Sequence, residues 1–346
     1  MKKWKVAVIG CGSISPMHLD ALEALENIEL AGVCDIRRER AEERAQQYHT
    51  RAYTDYKELF AVEKPDAIHL CLPHDLHTIV ARDAFAAGIH VLSEKPAGIH
   101  YDDVERTVEM AEQLGLQYGV IFQNRFNVPA RLVKARIADG KLGKVLAART
   151  VLTWNRTDAY YATTDWKGTW EREGGGVIIN QSIHILDLAN WFIDSTITDV
   201  TCSLHNRLHP SIKVEDTAEG LVTYENGARL VFFATNNYAI DDQVEIRLQC
   251  ENGSVKMTYD AIDITYRDGT TEHAQNAPKQ FKYTGGKRCW GMQHVLQIEQ
   301  FYRALSGEEP LALSARDALK TQDLICRIYQ QPYAELKAAK KQEGTE

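Results

Sequence analysis

VAVIGCGSISP, residues 6–16, is the stretch that decides the fold of this 346-residue chain. Four apolar residues run directly into Gly10, a pattern typical of a short strand that is buried on both faces. Pro16 opens a segment that carries apolar residues at helical spacings as far as Asn27, and Ser15 just before it is a suitable N-cap. The stretch therefore predicts a strand, a tight turn and a helix in direct succession.

Strand and helix continue to alternate through the first third of the chain. Short apolar runs of strand length are separated by segments with helical spacing, which is the pattern of parallel strands joined by helices. Such connections are right-handed and place helices on both faces of one sheet. We therefore predict an α/β domain at 1–123 with a doubly wound parallel sheet, with further strands at 30–34, 67–72, 90–93 and 118–121 and helices at 37–48, 78–87 and 102–114.

The pattern changes beyond residue 123. Alternating apolar and polar residues, typical of strands with one buried face, recur with turn signals such as Asn226-Gly227 and Asp268-Gly269 between them. We predict an α+β domain at 124–336 with a large, mostly antiparallel sheet, and a frayed tail at 337–346. Its predicted strands lie at 145–154, 200–205, 217–224, 228–236, 243–249, 254–257 and 262–266, and its helices at 129–139, 177–192, 293–305 and 315–330.

Composition excludes several classes of protein. The net charge of −8 argues against a general nucleic-acid binder, which presents a basic surface. No stretch approaches the ~18 uninterrupted apolar residues of a membrane span, and the first residues lack the apolar core of a signal peptide. The seven cysteines are scattered and include no CxxC pair, which favours reduced thiols over disulfides or a zinc site. We expect a cytoplasmic protein with no nucleic-acid, membrane or metal partner.

The glycine turn has the features of a dinucleotide-binding loop. In that motif the first glycine makes the tight turn, and the second lets backbone N–H groups approach a pyrophosphate at a helix N-terminus. Ser15 replaces the third glycine, and taken alone the motif is equally a plain strand–helix turn. Asp35 closes the second strand, where a carboxylate binds the ribose hydroxyls, and favours NAD, whereas the nearby Arg37 and Arg38 leave NADP open. The predicted cradle consists of Gly10, Cys11, Gly12, Ser13 and Ile14.

Four further segments carry a resemblance to a known family. They are CLPHDLH at 71–77, AAGIHVLSEKP at 86–96, FQNRF at 122–126 and GGGVIINQSIHILD at 174–187. In this order the chain resembles, over nearly its whole length, the Gfo/Idh/MocA family of sugar and inositol oxidoreductases. The resemblance implies an NAD(P)-binding Rossmann domain, followed by a domain that binds the substrate and forms a homodimer or homotetramer through its sheet. Tyr224, Val231 and Phe233 are candidates for that contact.

Lys95 follows a predicted strand, at the sheet edge where open α/β sheets bind ligands. Most lysines are solvated surface charges, but an ammonium beside a nicotinamide stabilises a substrate oxygen that loses its proton. The resemblance implies this role for Lys95. Glu94 is its carboxylate neighbour, and Pro96 limits the freedom of the backbone.

His184 lies four residues after Asn180 and three before Asp187 on a predicted helix, so the three project to neighbouring faces. A core or capping histidine is the alternative, but the resemblance implies the general base that takes the hydroxyl proton. The spacing of His184 and Asp187 offers only two local ligands for a metal. Asn180 stands where the family more often has Asp; an amide orients His184 or holds a sugar hydroxyl but cannot act as a base. This form looks like the branch that acts on hexoses, glycosides or nucleotide sugars.

Further residues complete the two predicted sites. By resemblance the loops after the strands pass the cofactor, although His74 and His77 serve equally well as loop caps. Aromatic side chains with an adjacent arginine suit a sugar ring, with core packing as the alternative. We also expect Gly174–Gly176 to allow close backbone approach in the cleft. The cofactor set adds Leu72, Pro73, His74, His77, Glu94, Lys95 and Gln123, and the substrate set is Lys95, Arg125, Trp154, Arg156, Tyr160, Trp166, Asn180 and His184.

These sites predict an NAD(P)-dependent oxidoreductase that transfers hydride between a nicotinamide and a secondary hydroxyl of a sugar, glycoside, nucleotide sugar or inositol. Two alternatives stay open. One is a dehydratase or hydrolase of the same family that holds NAD tightly and oxidises its substrate transiently. The other is a regulator that senses NAD(P) without catalysis, because fold alone does not decide function.

Overall fold

The structure is a computed structural model that describes residues 2–276, 281–284 and 293–335. These residues form two units, each built around its own sheet. Unit 1 takes the described residues within 1–98, 102–131 and 275–319, and unit 2 those within 99–101, 132–274 and 320–346. A single division at residue 124 differs from this arrangement, because a late part of the chain returns to unit 1.

Unit 1 contains a six-stranded parallel sheet in the order β3-β2-β1-β4-β5-β6. The predicted doubly wound sheet is confirmed. The strand order reverses at β1, which lies between β2 and β4, and ligands bind such sheets at the carboxyl ends of the strands beside this reversal. The strands are β1 (Trp4–Ile9), β2 (Ile28–Cys34), β3 (Arg51–Tyr53), β4 (Ala67–Leu70), β5 (His90–Ser93) and β6 (Tyr118–Val120).

The helices of unit 1 include one that sequence reasoning assigned to the other domain. His294–Leu305 packs on the first helix, and its Ile298, Phe301 and Tyr302 belong to the same buried cluster as Val6 and Val8 of β1. Its apolar face therefore completes the core of unit 1, which the order of elements along the chain does not reveal. The helices are α1 (Ser15–Glu23), α2 (Arg38–Gln47), α3 (Tyr56–Glu63), α4 (His77–Ala86), α5 (Tyr101–Gln113) and α9 (His294–Leu305).

Two local expectations for unit 1 need correction. Ser15 is the first residue of α1 and not its cap: Ile14 holds the cap position without a side-chain bond, and the Ser15 hydroxyl donates to the Gly12 carbonyl at 2.9 Å. The sequence patterns also missed β3 and α3. β3 has only three residues, none of them buried, so it lacks the apolar run that marks a strand. α3 begins after Asp55, whose carboxylate caps the helix by accepting from the Lys57 N–H.

Unit 2 contains an eight-stranded sheet in the order β14-β13-β12-β11-β7-β10-β9-β8. Its described pairings are antiparallel except for the parallel pair of β7 and β10, which confirms the mostly antiparallel prediction. The strands are β7 (Val145–Thr153), β8 (Ile197–His205), β9 (Thr217–Tyr224), β10 (Arg229–Thr235), β11 (Glu245–Cys250), β12 (Gly253–Met257), β13 (Ala261–Tyr266) and β14 (Thr271–Gln275).

The segment expected as one helix at 177–192 consists of two parts. A π-helical turn at Ile178–Ser182 precedes α8 (Ile183–Ile193), which packs on β7. π turns are rare and are frequently found at functional sites. The turn contains Asn180, and α8 contains His184. The remaining helices are α6 (Val128–Ala138), α7 (Asp158–Ala162) and α10 (Ala315–Ile328).

The open face of the unit 2 sheet carries only part of the expected apolar surface. Val231 and Phe233 of β10 are exposed, but Tyr224 is buried, with 2% of its surface exposed. The expectation that Tyr224 lies on this face is wrong, because it stands at the other parity of the strand alternation and points into the core.

The six described cysteines are free thiols. Burial raises the pKa of Cys11 and of Cys34 to about 12, so both are inert thiols that fill the core. Cys289 and the tail at 337–346 lie outside the described residues. Among the helices that the structure describes, none is long and apolar enough to cross a membrane.

Candidate active site

The glycine turn after β1 lies against the carboxylate of Asp35. Asp35 accepts hydrogen bonds from the backbone N–H of Cys11 at 2.9 Å and of Arg37 at 2.8 Å. Gly10 has a φ of +100°, and a Cβ there would lie 2.2 Å from the Cys71 carbonyl oxygen, so only glycine fits. At Gly12, by contrast, a Cβ would find no heavy atom of the described residues within 4 Å. The turn is therefore tight on its protein side and open above its second glycine, as a pyrophosphate cradle requires.

Glu94, at the carboxyl end of β5, belongs to a buried chain of hydrogen-bonded side chains within unit 1. Glu94 accepts from the ring Nε2 of His18 at 3.1 Å and of His294 at 3.2 Å, and the Lys95 backbone N–H donates to it at 3.3 Å. Burial opposes ionisation of Glu94, but the hydrogen bonds from His18 and His294 outweigh it and hold the pKa of this carboxyl well below its usual range. The segment that carries Lys95 is thus anchored by a buried carboxylate.

The chain continues from His18 to a second histidine and a tyrosine. The Nδ1 atoms of His18 and His69 are 2.8 Å apart, and His69 Nε2 lies 2.8 Å from the Tyr302 hydroxyl. Burial lowers the pKa of His69 well below its usual value, so its ring is neutral. With Glu94 ionised, the Nε2 of His18 donates to its carboxylate. Glu94, His18, His69 and Tyr302 therefore form one buried chain of hydrogen bonds.

His77 connects the two loops that follow β4 and β5. Its Nδ1 lies 2.6 Å from the Pro96 carbonyl oxygen and its Nε2 lies 2.9 Å from the Leu72 carbonyl oxygen. Burial lowers the pKa of His77, and a neutral ring donates through only one of these nitrogens. This geometry favours the alternative that His77 braces the loops, so its contact with a cofactor stays a prediction, as does that of the buried His74.

The last predicted cofactor residue lies in a turn after β6. Gln123–Phe126 form a 3₁₀ turn whose four side chains are buried. The side chain of Gln297 on α9 fixes its entry, accepting from the Phe122 N–H at 3.1 Å and donating to the Val120 carbonyl at 2.7 Å. A helix from late in the chain thus positions Gln123 and Arg125.

In unit 2 the glycine run before the π turn is held by Glu215. Its carboxylate accepts from the N–H groups of Gly176 and Ile178 and from the Tyr329 hydroxyl, at 2.9, 3.1 and 2.6 Å. A Cβ at Gly176 would lie 1.8 Å from the Glu215 carbonyl oxygen. The expected close backbone approach is found at Gly176, where the neighbour is the backbone of Glu215, whereas side chains of Ile99 and Tyr329 lie against Gly174 and Gly175. Sequence reasoning missed Glu215, which lies 39 positions from Gly176 and forms no motif with it.

The π turn also joins Asn180 to a buried carboxyl. Asn180 Nδ2 donates to Glu173 at 2.5 Å and lies 3.4 Å from the Tyr160 hydroxyl, to which Gln181 Nε2 donates at 3.2 Å. The second oxygen of Glu173 accepts from the Gly168 N–H at 2.5 Å. Burial raises the pKa of Glu173 and of Glu215 to about 7.

Arginine and aromatic side chains surround Tyr160. The Arg156 guanidinium lies 4.8 Å from the centre of the Trp154 ring and 5.6 Å from that of Tyr160, and the Lys167 ammonium lies 3.8 Å from the Tyr160 ring. Asp241 pairs with Arg156 at 2.9 Å. The predicted substrate residues Trp154, Arg156, Tyr160 and Asn180 are therefore brought together in unit 2, and Trp166 lies at the margin, with its ring 5.9 Å from Lys167.

Asp187 has a structural partner. Its carboxylate accepts from the Thr321 hydroxyl of α10 at 2.6 Å, which anchors α8 in unit 2. His184 lies at the start of α8, one turn after Asn180. In the part of the chain that the structure describes, no group of three or more His, Cys, Asp or Glu side chains is arranged to hold a metal ion.

Comparison with known proteins identifies the family. Residues 4–122 match the model of an oxidoreductase family with an NAD-binding Rossmann fold, and residues 130–256 match the GFO/IDH/MocA C-terminal domain. The chain belongs to the Gfo/Idh/MocA family of oxidoreductases. NAD is its cofactor, and the open turn at Gly12 beside Asp35 fits the group.

Individual relatives cover nearly the whole chain. The D-glucoside 3-dehydrogenase of Escherichia coli is 23% identical over 345 residues, or 94% of each chain. The D-apiose dehydrogenase of Paraburkholderia graminis is 25% identical and covers 95% of this chain and 88% of the relative. The crystal structure of the WlbA dehydrogenase from Bordetella pertussis, in complex with NADH and UDP-GlcNAcA, is 25% identical, with a TM-score of 0.82 over 95% of this chain and 96% of that chain.

Proposed function

We propose that this protein is an NAD-dependent dehydrogenase that oxidises a secondary hydroxyl of a sugar, glycoside, nucleotide sugar or inositol. The observation that carries the proposal is the group formed by Asn180, Tyr160, Arg156 and Trp154, on and around the turn that precedes His184. Amide and cationic groups beside aromatic rings suit the hydroxyl edge and the apolar face of a sugar ring. Relatives named for glucoside and apiose oxidation, and a neighbour crystallised with a nucleotide sugar, support this substrate class.

NAD, when bound, supplies the acceptor for the hydride that leaves the carbinol carbon. The Nε2 or Nδ1 atom of His184 takes the hydroxyl proton, since imidazole titrates near neutral pH. The Lys95 ammonium donates a hydrogen bond to the same oxygen and lowers the cost of its negative charge. Asn180 orients the ring, while the Glu94 carboxylate anchors the backbone of Lys95.

Asp35 supports NAD as the cofactor in preference to NADP. Its carboxylate already holds the N–H of Cys11 in the cradle, which places a negative charge beside the glycine turn. A 2′-phosphate near this charge is repelled, whereas ribose hydroxyls donate to it. Arg38 lies 3.6 Å from Glu42, so a second carboxylate stands beside the guanidinium that a 2′-phosphate would need.

The test is NADH formation with methyl glucosides, free hexoses, myo-inositol and UDP-N-acetylglucosaminuronate, measured with the wild type and with Lys95→Ala. We expect turnover with at least one compound and a loss of about 10²–10⁴-fold in kcat for Lys95→Ala with NAD binding retained, because the alkoxide loses its donor. Lys57→Ala, which removes an exposed ammonium paired with Asp83, is the matched control and keeps full activity.

Three results contradict this proposal. Unchanged turnover in Lys95→Ala removes Lys95 from the mechanism. NAD retained through purification, with conversion of a substrate but no net NADH, indicates transient oxidation. Saturable NAD binding with no turnover of any compound indicates the regulator.

We further propose that the protein acts in the cytoplasm as a homodimer or homotetramer, joined through the open face of the unit 2 sheet. Val231 and Phe233 are exposed on this face, with 49% and 38% of their surfaces accessible. Their strand neighbour Arg149 pairs with Glu245 on the same sheet, so charged groups border the apolar pair. A self-complementary contact buries such a patch against its own copy.

A further inference from the structure

Glu173 is a buried carboxyl that the proposed mechanism does not use. Only 1% of its surface is exposed, although it lies within hydrogen-bond distance of the Asn180 amide. One carboxylate oxygen accepts from Asn180 Nδ2 and the other from the Gly168 N–H, both at 2.5 Å. Burial of a carboxyl is costly unless its hydrogen bonds compensate, so this position needs a reason beyond packing.

The two hydrogen bonds determine which way the Asn180 side chain faces. An ionised carboxylate only accepts, so it binds the Nδ2 end of the amide and excludes the Oδ1 end. Because the two ends of an amide point in different directions, fixing Nδ2 on Glu173 turns Oδ1 away from it. Without Glu173 the amide is free to exchange its donor and acceptor ends by rotating about one bond.

We propose that Glu173 is a positioning residue that makes Asn180 present its carbonyl oxygen, a hydrogen-bond acceptor, to a hydroxyl of the substrate. The inference rests on the proposed function, because it assigns Asn180 to the substrate. The protein then selects sugars that carry a free hydroxyl at the carbon facing Asn180. A deoxy or O-methyl analogue lacks that hydroxyl donor, so we expect it to bind more weakly.

The pairing of Glu173 with Asn180 depends on pH. The charged and titratable groups that act on Glu173 in unit 2 are Lys167, Glu215, Tyr160 and Tyr161, besides the hydrogen bonds from Asn180 and Gly168. Burial raises the pKa of Glu173 to about 7, and the Glu215 carboxylate adds to the rise. Below that pH the carboxyl gains a proton and donates a hydrogen bond. The Asn180 amide then turns its oxygen towards Glu173, which reverses its orientation. We therefore expect the KM for the sugar to rise as the pH falls through about 7.

Substitutions at Glu173 and Asn180 change which of the two side chains donates the hydrogen bond between them. In Glu173→Gln, the new amide gives its oxygen to the Gly168 N–H and turns its NH₂ towards Asn180, which reverses the Asn180 amide. In Asn180→Asp, two carboxyls meet and compete for one proton. The double variant Glu173→Gln with Asn180→Asp again matches donor to acceptor, and the second carboxylate oxygen serves the substrate.

The experiment measures kcat and KM for the sugar from the panel with the highest turnover, across about pH 6 to 8, in the wild type, both single variants and the double variant. We expect Glu173→Gln to raise KM by about tenfold, the loss of one hydrogen bond, with kcat within about twofold and no further change with pH. The double variant recovers KM to within about threefold of the wild type. Glu63→Gln, which alters a buried carboxyl bonded to Lys5, Arg51 and Tyr53 in unit 1, leaves KM unchanged.

A second measurement needs no substrate. The side-chain ¹⁵NH₂ resonance of Asn180, assigned by its loss in Asn180→Asp, shifts with a midpoint near pH 7 in the wild type and does not shift in Glu173→Gln. If this titration is present and no compound is turned over, the proposed function fails and the positioning role stands. A resonance that stays constant with pH, or a double variant no better than Glu173→Gln, overturns the role of Glu173. If both single variants unfold, a folded double variant supports the pairing and an unfolded one overturns it.

Discussion

Asp35 holds the backbone of the glycine turn, and we propose that the same side chain binds the cofactor. Its carboxylate holds the backbone of Cys11 in the glycine turn and that of Arg37 at the start of α2. The oxygens that receive these N–H groups retain lone pairs for ribose hydroxyls, because each carboxylate oxygen accepts more than one hydrogen bond. In our proposal, this single charged residue both shapes the turn and selects the nucleotide.

We expect Asp35→Ala to raise the dissociation constant for NAD by about 10- to 100-fold, since hydrogen bonds to a charged group contribute about 1.5–3 kcal/mol. Isothermal titration calorimetry with NAD measures this change. Asp55→Ala is the matched control: it removes a carboxylate that caps α3, lowers the free energy of unfolding by about 1 kcal/mol and leaves NAD binding intact. Equal NAD affinity in Asp35→Ala and the wild type contradicts the assignment.

At the scale of elements, the two glycine turns before helices serve different purposes. The turn before α1 is open above Gly12, whereas the turn before the π helix is filled by Glu215 and Tyr329. Both appear in the sequence as glycines before a helix. Their surroundings, and not their composition, decide which one receives a ligand.

The matched pair Gly12→Ala and Gly176→Ala separates these purposes. Gly12→Ala adds a methyl group where no described atom lies within 4 Å, so we expect normal stability and NAD binding weakened by about tenfold or more, because the methyl group meets the pyrophosphate. Gly176→Ala forces a Cβ to within 1.8 Å of the Glu215 carbonyl, and we expect a loss of about 3 kcal/mol or more in unfolding free energy. Denaturant unfolding and NAD titration of both variants measure the two effects. A destabilised Gly12→Ala, or a Gly176→Ala as stable as the wild type, refutes the distinction.

At the scale of the whole molecule, assembly is the property that the open sheet face predicts. Val231 and Phe233 are exposed on β10 while the alternate residues Leu230 and Phe232 lie in the core, so substitution of the outer pair leaves the fold intact. We expect Val231→Lys with Phe233→Lys to convert a dimer or tetramer into monomers, because like charges then face each other across a twofold contact.

Light scattering at several concentrations measures the mass of the assembly. Val62→Lys, which changes an exposed apolar residue of α3, is the control and keeps the wild-type mass. A wild type that is monomeric at all concentrations, or an unchanged mass in the double lysine variant, excludes this face as the interface.

The sequence by itself determined the features that depend on local spacing. Alternation of apolar runs and helical segments predicted the parallel sheet, and the glycine turn with Asp35 predicted the NAD cradle. The sheet and the cofactor are confirmed, because strand, turn and helix are specified by residues a few positions apart, and the cradle residues stay a prediction. The prediction of Ser15 as the N-cap was wrong. The helix begins one residue earlier than expected, so Ser15 is its first residue and Ile14 holds the cap position.

Only the tertiary structure decided which distant groups meet. It brought Glu215 to Gly176 and α9 into the core of unit 1. A buried carboxylate must find N–H donors, and an apolar helix face must find a core, but neither demand specifies a sequence separation. The residues that position the candidate catalytic turn therefore belong to no sequence motif. Only the folded structure identifies them, because burial determines which groups they contact.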